Sequence, residues 1–334
     1  MSLFCRRWML LVLAVLLILS PLAGFNKEST MPFSLVGIVS RVKPFMDVRT
    51  GVIYSYVYLS VRESEVKLPQ VVVVKVLGGE IPELDLGFGV DGQPLIGEGD
   101  LIKVTVVIIG EYEGKTLLKP KGQIEVITYK TKFDTPESCY RLIRTGSGKL
   151  IKWRRKRIPF YINIKNVKKL FKKNSKAAIK RITEGALAWD KPEGAHFHLR
   201  YKGGKKAKAP KRDNKNVVMF TKIDGKGGTL GIAYYWYEIS TGKILEADTI
   251  FDRSEKWYVG KSKKVPSDKV DLASVAAHEF GHWAALGHVP RNPKKCGGTS
   301  KLNTMYPEIS KGDSKYRDIY VGDLNGIKRL YPKP

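Results

Sequence analysis

Short runs of alternating apolar and polar residues dominate the chain from residue 34 to residue 127. Five runs are typical of β-strands: SLVGIVSRV, VIYSYVYLSV, VVVVKVLG, LIKVTVVIIG and TLLKPKGQIEVI. Turn-rich pieces such as DVRTG, DGQPLIGEGD and EYEGK separate them, and none of the five runs has the 3.6-residue period of a helix. The pattern predicts a small all-β barrel over residues 32–128.

The remainder of the chain mixes helical and strand periods. A polar connector over residues 129–148 precedes a second predicted domain, residues 149–334. Apolar positions that recur every three or four residues predict helices over 167–189, 272–286 and 323–330. The strand candidates between them are IPFYINI, AHFHLRY, VVMFTKI, TLGIAYYWY and ILEADTIF. This order predicts helices packed on a mixed sheet, and an α+β chain as a whole.

The first 23 residues have a different character. Arg6 and Arg7 precede an apolar run over residues 8–19, and small residues with helix breakers follow it. This pattern predicts a signal peptide over residues 1–23 and therefore a secreted, extracellular protein. The alternative is an uncleaved membrane anchor, because the apolar stretch of about 18 residues sits at the short limit for a bilayer span.

Composition and charge separate the two halves. The 334 residues are 43% hydrophobic and 27% charged, which excludes a disordered or collagen-like chain. The formal net charge of +27 is unevenly distributed, because residues 24–130 contain 12 basic and 13 acidic side chains. Residues 149–181 alone contain 14 basic side chains and no acidic one. Two interpretations of this basic face stay open: a solvated surface, or a surface that attracts anionic polymers, acidic proteins or the cell envelope.

The layout of the five predicted strands resembles the OB-like barrels at the N-terminus of some secreted prokaryotic proteins. Such barrels often bind nucleic acid through a basic face studded with aromatic residues, but residues 24–130 are slightly acidic. Tyr54, Tyr56 and Tyr58 alternate on one face of a strand, and cross-strand packing accounts for them more simply than base stacking does. We therefore expect no nucleic-acid partner.

Eleven residues, HEFGHWAALGH, contain three of the five histidines of the chain. His278 and His282 are one helical turn apart, so both imidazoles lie on one face and can share a cation. Glu279 borders them, where it suits a base for metal-bound water. His288 follows Gly287, a position where the chain can turn back. Three imidazoles leave one coordination position open, as a catalytic zinc requires.

HExxH also occurs in helices that bind no metal, but buried imidazoles without a partner would be costly in so apolar a helix. The motif resembles the zinc signature HExxHxxGxxH of metzincin peptidases, and among them the matrixins. The matrixin Met-turn is matched at residues 305–307, and the C-terminal helix of that family is similar to DLNGIKRLY. Upstream, DGKGGTL looks like the loop before the family's substrate-binding strand, and FDRSEKW like the close of a calcium loop. The resemblance covers residues 150–334.

The resemblance implies a metzincin-type α/β catalytic domain with a mixed twisted sheet and an active-site helix. It implies a secreted, monomeric zinc-dependent endopeptidase that hydrolyses peptide bonds in protein or peptide substrates. Glu279 would take a proton from zinc-bound water and later give it to the leaving amine, and Met305 would form a hydrophobic floor beneath the metal. The implied ligands of one catalytic zinc are His278, His282 and His288.

Two further sets of residues follow from the same resemblance. An extended substrate would add a strand to an edge strand of the sheet, next to a pocket for the residue after the cleaved bond. The residues implied for substrate binding are Leu230, Gly231, Ile232, Ala233, Pro307, Glu308 and Ile309. Hard oxygen ligands suit calcium, and the resemblance implies one structural calcium ion held by Asp224, Asp252 and Glu255.

The sequence departs from the matrixin pattern at several positions. Ala285 replaces the glycine of the signature, and a positive φ there would cost alanine about 1–2 kcal/mol unless Gly287 takes the bend. Ile232 and Ile250 occupy positions where the family places histidines of a structural zinc site. His196 and His198 lie outside that pattern, and we expect solvent-facing histidines rather than a second metal site.

Cysteine usage fits export. Cys5 lies in the predicted signal peptide, which leaves Cys139 and Cys296 to pair in an oxidising compartment. Two unrelated thiols are the alternative, and an inhibitory thiolate at Cys139 is a third interpretation. For the whole chain, the runner-up function is an envelope-associated or anionic-polymer-binding protein with a vestigial zinc site.

Overall fold

The computed structural model describes residues 31–90, 95–96, 100–121, 124–128, 139–289, 296 and 298–334. The predicted signal peptide and the first half of the predicted connector, residues 129–138, lie outside the described residues. No helix within the described ranges is long and apolar enough to cross a bilayer. The chain is α+β, rich in sheet and with few helices.

The described strands between residues 33 and 128 belong to two different sheets. Five of them close into a ring, because the sheet order β1-β2-β3-β7-β6 is completed by pairing of β1 with β6, and β8 adds to β6. Apolar residues at alternate positions fill the interior of the ring, among them Leu35, Val57 and Val104. The strands are β1 (Phe33–Asp47), β2 (Val52–Ser64), β3 (Val71–Leu77), β4 (Gly79–Ile81), β5 (Leu86–Val90), β6 (Leu101–Tyr112), β7 (Lys115–Pro120) and β8 (Glu125–Thr128).

A seven-stranded sheet organises the rest of the chain. Its order is β11-β10-β12-β14-β13-β5-β4. The four neighbours β11, β10, β12 and β14 are parallel to one another, and β13 is antiparallel to β14. The remaining strands are β9 (Arg141–Leu142), β10 (Arg157–Ile162), β11 (His198–Gly204), β12 (Val217–Thr221), β13 (Gly231–Glu238), β14 (Ile244–Asp252), β15 (Trp257–Tyr258), β16 (Val270–Asp271) and β17 (Leu286–Gly287). The α-helices are α1 (Ile164–Phe171), α2 (Ser175–Ala188), α3 (Leu272–Trp283) and α4 (Val321–Leu330).

The helices differ from the predicted ones at their ends. The single helix predicted over 167–189 is two helices, because Lys172 adopts a φ of 48° between α1 and α2. Helices α2 and α3 pack so closely that a β-carbon added at Gly185 would lie 2.6 Å from the backbone nitrogen of Ala277. The Trp189 indole N–H, just after α2, donates to the Ala277 carbonyl at 2.7 Å. These contacts place α3 across the sheet.

Strands β4 and β5 leave the barrel and complete the second sheet. The sequence analysis predicted no strand for LGFGV, the segment that forms β5, and placed residues 32–128 in one barrel. Strand β5 pairs with β13, and a cluster of buried apolar side chains joins the two parts of the chain there. The indole of Trp236 on β13 donates to the Gly51 carbonyl at 2.7 Å. The barrel and the second sheet therefore share a core.

The tyrosines of β2 pack within the protein. The Tyr56 ring stacks on Tyr112, with ring centroids 4.0 Å apart, and Lys75 lies over Tyr54. The Tyr58 hydroxyl donates to Glu113. All three rings therefore have intramolecular contacts of the kind that cross-strand packing predicts.

A disulfide joins Cys139 to Cys296, as the sequence analysis favoured. This bond confirms the pairing and excludes the interpretation in which Cys139 is an inhibitory thiolate. It ties the segment before β9 to the loop that follows the third histidine, across a sequence separation of 157 residues.

Removing this disulfide is expected to cost about 3–4 kcal/mol of unfolding free energy, because a bond that closes so long a loop restricts the unfolded chain strongly. The double variant Cys139→Ser, Cys296→Ser removes both cysteines of residues 24–334, and denaturant unfolding measures the difference. Reduction of the unmodified protein is the matched control and should give the same loss. A change below about 1 kcal/mol in both would contradict the prediction.

Candidate metal centre

Helix α3 carries the HExxH motif and is buried along its whole length. Its N-cap is Asp271, whose carboxylate accepts the Ser274 backbone N–H at 2.9 Å. Arg317 pairs with the same carboxylate through two nitrogens, at 2.6 and 2.9 Å. A buried helix of this kind needs both its end and its polar side chains satisfied. The N-cap bond satisfies a backbone N–H at the helix end, and the ion pair with Arg317 compensates the buried charge of Asp271.

Hydrogen bonds to backbone carbonyls orient the two helical imidazoles. His278 Nδ1 lies 2.7 Å from the Thr304 carbonyl oxygen, and His282 Nδ1 lies 2.7 Å from that of Leu286. A carbonyl can only accept, so both Nδ1 atoms carry the proton and both Nε2 atoms present a lone pair. Partners of this kind fix the tautomer and ring orientation of metal-binding histidines.

The three Nε2 atoms of the motif converge on one point. His278 Nε2 lies 3.0 Å from His288 Nε2 and 3.1 Å from His282 Nε2. Nitrogens bound to a tetrahedral zinc at about 2.0–2.1 Å are about 3.3 Å apart, and these two distances are close to that value. All three ligand atoms lie within 4.8 Å of one another, which is compatible with zinc binding. In the described part of the chain, no other group of three or more metal-binding side chains comes together in this way.

Glu279 is buried beside the histidines and lies against the first residue of β13. A β-carbon added at Gly231 would lie 2.6 Å from Glu279 Oε1 and 3.0 Å from its carboxyl carbon. The glycine therefore makes room for the carboxylate. This contact brings the predicted general base and the predicted substrate-binding strand together.

The bend that returns the chain to His288 is at Ala285, whose φ is 64°. Helix α3 consequently ends at Trp283, three residues before the predicted end. Gly287 does not take the bend: it lies in β17 and pairs with Arg141 of β9. The alanine is fully buried and holds a backbone conformation that favours glycine.

Ala285→Gly is expected to raise the unfolding free energy by about 0.5 kcal/mol. Relief of about 1–2 kcal/mol of left-handed strain outweighs the greater freedom of unfolded glycine, which costs about 0.4–1 kcal/mol. Denaturant unfolding measures the change. Gly287→Ala tests the same entropy term in the opposite direction: Gly287 has no positive φ, so alanine should stabilise the protein by about 0.4–1 kcal/mol as the flexible Arg141 side chain, 3.1 Å from the new β-carbon, moves aside. A loss of stability in Ala285→Gly would show that the buried methyl matters more than the strain.

Met305 packs against the middle of α3. A β-carbon added at Gly281 would lie 2.1 Å from the Met305 sulfur, so the thioether sits on the helix backbone between the two helical histidines. Asp323 of α4 holds this turn in place: its carboxylate accepts the backbone N–H groups of Thr304 at 2.6 Å, Met305 at 3.2 Å and Tyr320 at 3.1 Å. Burial raises the pKa of Asp323 to about 6, although these three N–H groups act to lower it.

Asp323 and Thr304 are functional residues that the sequence analysis missed. The sequence analysis placed Asp323 only at the start of a predicted helix. An acidic residue next to the apolar positions of that helix was the one feature that could have indicated a buried role. The Thr304 contribution is a backbone carbonyl, which no residue pattern reveals.

The residues predicted for substrate binding lie in two places near this centre. Gly231, Ile232 and Ala233 begin β13, directly after Leu230. The other residues, 307–309, follow Met305, which lies next to the third histidine, because the Val289 N–H donates to the Met305 carbonyl at 2.9 Å. Their exposure varies from half-buried at Pro307 and Ile309 to exposed at Glu308.

The three predicted calcium carboxylates face the loop between β12 and β13. Asp252 accepts backbone N–H groups of Ile223, Asp224 and Gly225 at 3.0–3.2 Å, and these bonds act to lower its pKa. Glu255 accepts the Gly227 N–H, whereas Asp224 accepts from Thr229. Asp224, Asp252 and Glu255 do not form a metal-sized group in the described residues, and calcium binding stays a prediction.

The other positions singled out in the sequence have ordinary surroundings. Ile232 and Ile250 face each other across β13 and β14. His198 pairs with Asp190, and desolvation lowers the pKa of His196.

Comparison with known proteins adds an independent finding. The family model described as Matrixin matches residues 152–332. The chain is 28% identical to human matrix metalloproteinase-25 over 156 residues, which is 44% of this chain and 24% of the relative. It is 30% identical to human matrilysin over 111 residues, which is 33% of this chain and 34% of the relative. Identity to the Arabidopsis thaliana metalloendoproteinase 4-MMP is 32% over 104 residues, or 31% of this chain and 26% of the relative.

The chain spans about a quarter to a third of the length of these curated relatives. The matched region contains the whole seven-stranded sheet except β4 and β5, together with the four α-helices of the described residues and the three converging histidines. This protein belongs to the matrixin family of peptidases.

Proposed function

We propose that this protein is a zinc-dependent endopeptidase whose metal is held by His278, His282 and His288. The observation that carries the proposal is the convergence of the three Nε2 atoms, together with the backbone carbonyls that orient the rings of His278 and His282 at Nδ1. When bound, zinc supplies a Lewis acid that polarises a peptide carbonyl and makes water a better nucleophile. The remaining steps belong to the side chains around it.

Glu279 acts as the general base and acid. Its carboxylate lies next to Gly231 at the start of β13, so a peptide lying along that strand has its scissile bond within reach of Glu279. The carboxylate takes a proton from the attacking water and returns it to the departing amine. Burial of the site among apolar side chains excludes bulk water and strengthens these electrostatic interactions.

The substrate is a protein or peptide held in an extended conformation. Main-chain groups of Leu230, Gly231, Ile232 and Ala233 bind it as an added strand, and Pro307, Glu308 and Ile309 border the residue that follows the cleaved bond. Met305 supports the metal centre from below. We further propose a structural calcium at Asp224, Asp252 and Glu255, an OB-like character for the closed ring of strands, and secretion of a monomer through residues 1–23, with membrane anchoring as the alternative.

Metal removal tests the proposal directly. The purified protein should cleave unfolded casein and lose at least about 99% of this activity when a chelator removes its zinc. Added zinc should restore cleavage. Elemental analysis should find one zinc per chain, and one calcium as well if the calcium site is filled. Cleavage that persists in metal-free protein would overturn the zinc mechanism. No cleavage of varied substrates by zinc-loaded protein would overturn the proposed activity.

The alternative of a binding protein with a vestigial zinc site is not favoured, because the family match and the three oriented imidazoles both point to a working centre. Helices α1 and α2 nevertheless carry a basic face. Seven lysines of α1, α2 and their junction are exposed, and none forms an ion pair with another described side chain. They are Lys165, Lys168, Lys169, Lys172, Lys173, Lys176 and Lys180.

We expect this basic face to retain the protein on an anionic polymer such as dextran sulfate at low salt, because unpaired like charges create a long-range field that salt screens. Replacing three of its lysines with glutamine should lower the salt concentration needed for elution. A matched variant with three barrel lysines replaced should elute with the unmodified protein. Absence of retention at low ionic strength would leave a solvated surface as the explanation. The test set is Lys168, Lys172 and Lys176, and the control set is Lys103, Lys119 and Lys121.

A further inference from the structure

Strand β5 of the N-terminal part occupies the edge of the strand that we propose for substrate binding. The register pairs Val90 with Tyr234 and continues without a break to the pair of Leu86 and Glu238. Strand β13 therefore has β14 on one side and β5 on the other along most of its length. Within the described residues, no strand pairs on the β5 side with positions 231–233.

The pairing is specified by complementary side chains on both faces of β5. On one face, a β-carbon at Gly87 would lie 2.2 Å from the Tyr237 ring, and a β-carbon at Gly89 would lie 2.1 Å from the Tyr235 ring. The two glycines thus leave space for two tyrosine rings. Glycine weakens an isolated strand, so its use at both cross-strand positions indicates an interface fitted to these rings.

The opposite face of β5 and its turn add to the fit. The Phe88 ring lies 4.9 Å from that of Trp236, centroid to centroid. Before β5, Glu80 accepts a hydrogen bond from the Tyr237 hydroxyl at 3.0 Å, and the Asp85 carboxylate accepts the Ser240 backbone N–H at 2.6 Å. This segment therefore binds β13 as a permanent strand of the sheet.

We infer that β5 sets the length of substrate that this peptidase can pair with, an inference that rests on the proposed function. We place the substrate along the same edge of β13 as β5, antiparallel to β13. The available stretch of this edge then runs from Gly231, which lies beside Glu279, to the point where Val90 pairs with Tyr234. This stretch contains three residues of β13, 231–233, which correspond to about 10 Å of strand. In this direction the N-terminal end of the substrate meets Val90.

The consequence is that only about three residues before the cleaved bond pair with β13, and a longer substrate turns away from the strand after them. Substrate residues further from the cleaved bond on the N-terminal side form no main-chain hydrogen bonds with β13, because β5 already pairs with residues 234–238 of that strand. Residues on the C-terminal side are unaffected by β5.

A series of peptides with one cleavable bond and one to six residues before it tests the inference on the unmodified protein. We expect kcat/KM to rise about threefold to tenfold for each residue that gains a hydrogen bond, up to the third, and then to stay constant. A parallel series lengthened after the cleaved bond provides the comparison. A continued rise through the fifth and sixth preceding residues would overturn the inference while leaving the proposed function intact.

Gly89→Val provides a second test, because its side chain would collide with the Tyr235 ring and displace β5. Hydrogen exchange of the full chain should then speed up at residues 234–238, and the gain in kcat/KM should extend beyond the third preceding residue. The double variant Gly89→Val, Tyr235→Ala recovers the space and should recover the protection. Unchanged exchange in Gly89→Val would show that β5 is not seated on these rings. A complete lack of cleavage by every peptide would instead overturn the proposed function, and this inference with it.

Discussion

Glu279→Gln is expected to lower kcat by about 10²- to 10⁴-fold, the contribution typical of a positioned general base. Glutamine has nearly the same shape as glutamate, so it can occupy the space that Gly231 leaves for residue 279. It cannot accept a proton from water at neutral pH. The three imidazoles, whose orientation depends on Thr304, Leu286 and the bend at Ala285, are unchanged.

The measurement is hydrolysis of a quenched fluorescent peptide, together with zinc content and thermal unfolding of each variant. Zinc content and unfolding temperature should match those of the unmodified protein. Glu193→Gln is the matched control, because it makes the same chemical change at an exposed position, and it should keep full activity. Equal kcat in Glu279→Gln and the unmodified protein would remove Glu279 from the mechanism. A variant that also lost zinc would show that Glu279 supports the metal site rather than the proton transfer.

The metal centre was largely accessible from the sequence, because helical spacing alone places His278 and His282 on one face. His288 was added from a turn expected near Gly287, and the resemblance supported it, but the structure places that turn two residues earlier. The turn at Ala285 ends α3 early and reverses the chain. Helical periodicity continued to Leu286 and gave no sign of this turn, since a residue's φ is not encoded in its hydrophobicity. The predicted helix end was therefore wrong by three residues.

The connection between the two sheets was not accessible in this way. The segment LGFGV has glycine at two alternate positions, and glycine is depleted in strands. Its strand conformation depends on Tyr235 and Tyr237, which are about 150 residues away in sequence and lie over those glycines. Complementarity of this kind appears only after both strands are placed, so local patterns located most strands of the N-terminal ring but not its junction with the second sheet.

The calcium carboxylates show a similar limit. Spacing and residue type identified Asp224, Asp252 and Glu255, but in the structure each carboxylate is occupied by loop N–H or hydroxyl donors. Whether oxygen atoms share a cation or satisfy a loop depends on distances within a turn, which residue order does not determine. Calcium-dependent thermal unfolding is the direct measurement of that site.

Asp323 links the C-terminal helix α4 to the metal centre through one residue. Its carboxylate receives the Thr304 N–H, and the Thr304 carbonyl receives the proton of His278 Nδ1. The same carboxylate receives the Met305 N–H, so a single fully buried side chain fixes both the orientation of one imidazole and the turn beneath the site. We therefore infer that Asp323 is a positioning residue.

Asp323→Ala is expected to lower the unfolding free energy by at least about 3 kcal/mol, because it leaves three buried N–H groups without an acceptor. It should also weaken zinc binding about 10- to 100-fold, the effect typical of losing a partner that orients a ligand. Denaturant unfolding of metal-free protein and competition with a zinc chelator measure the two effects separately. Asp318→Ala is the matched control, since this neighbouring carboxylate is exposed and pairs only with Lys263 at the surface, and it should change neither quantity appreciably. Lost stability with unchanged zinc affinity would mean that Asp323 supports α4 alone, and that His278 keeps its orientation without the Met-turn being fixed.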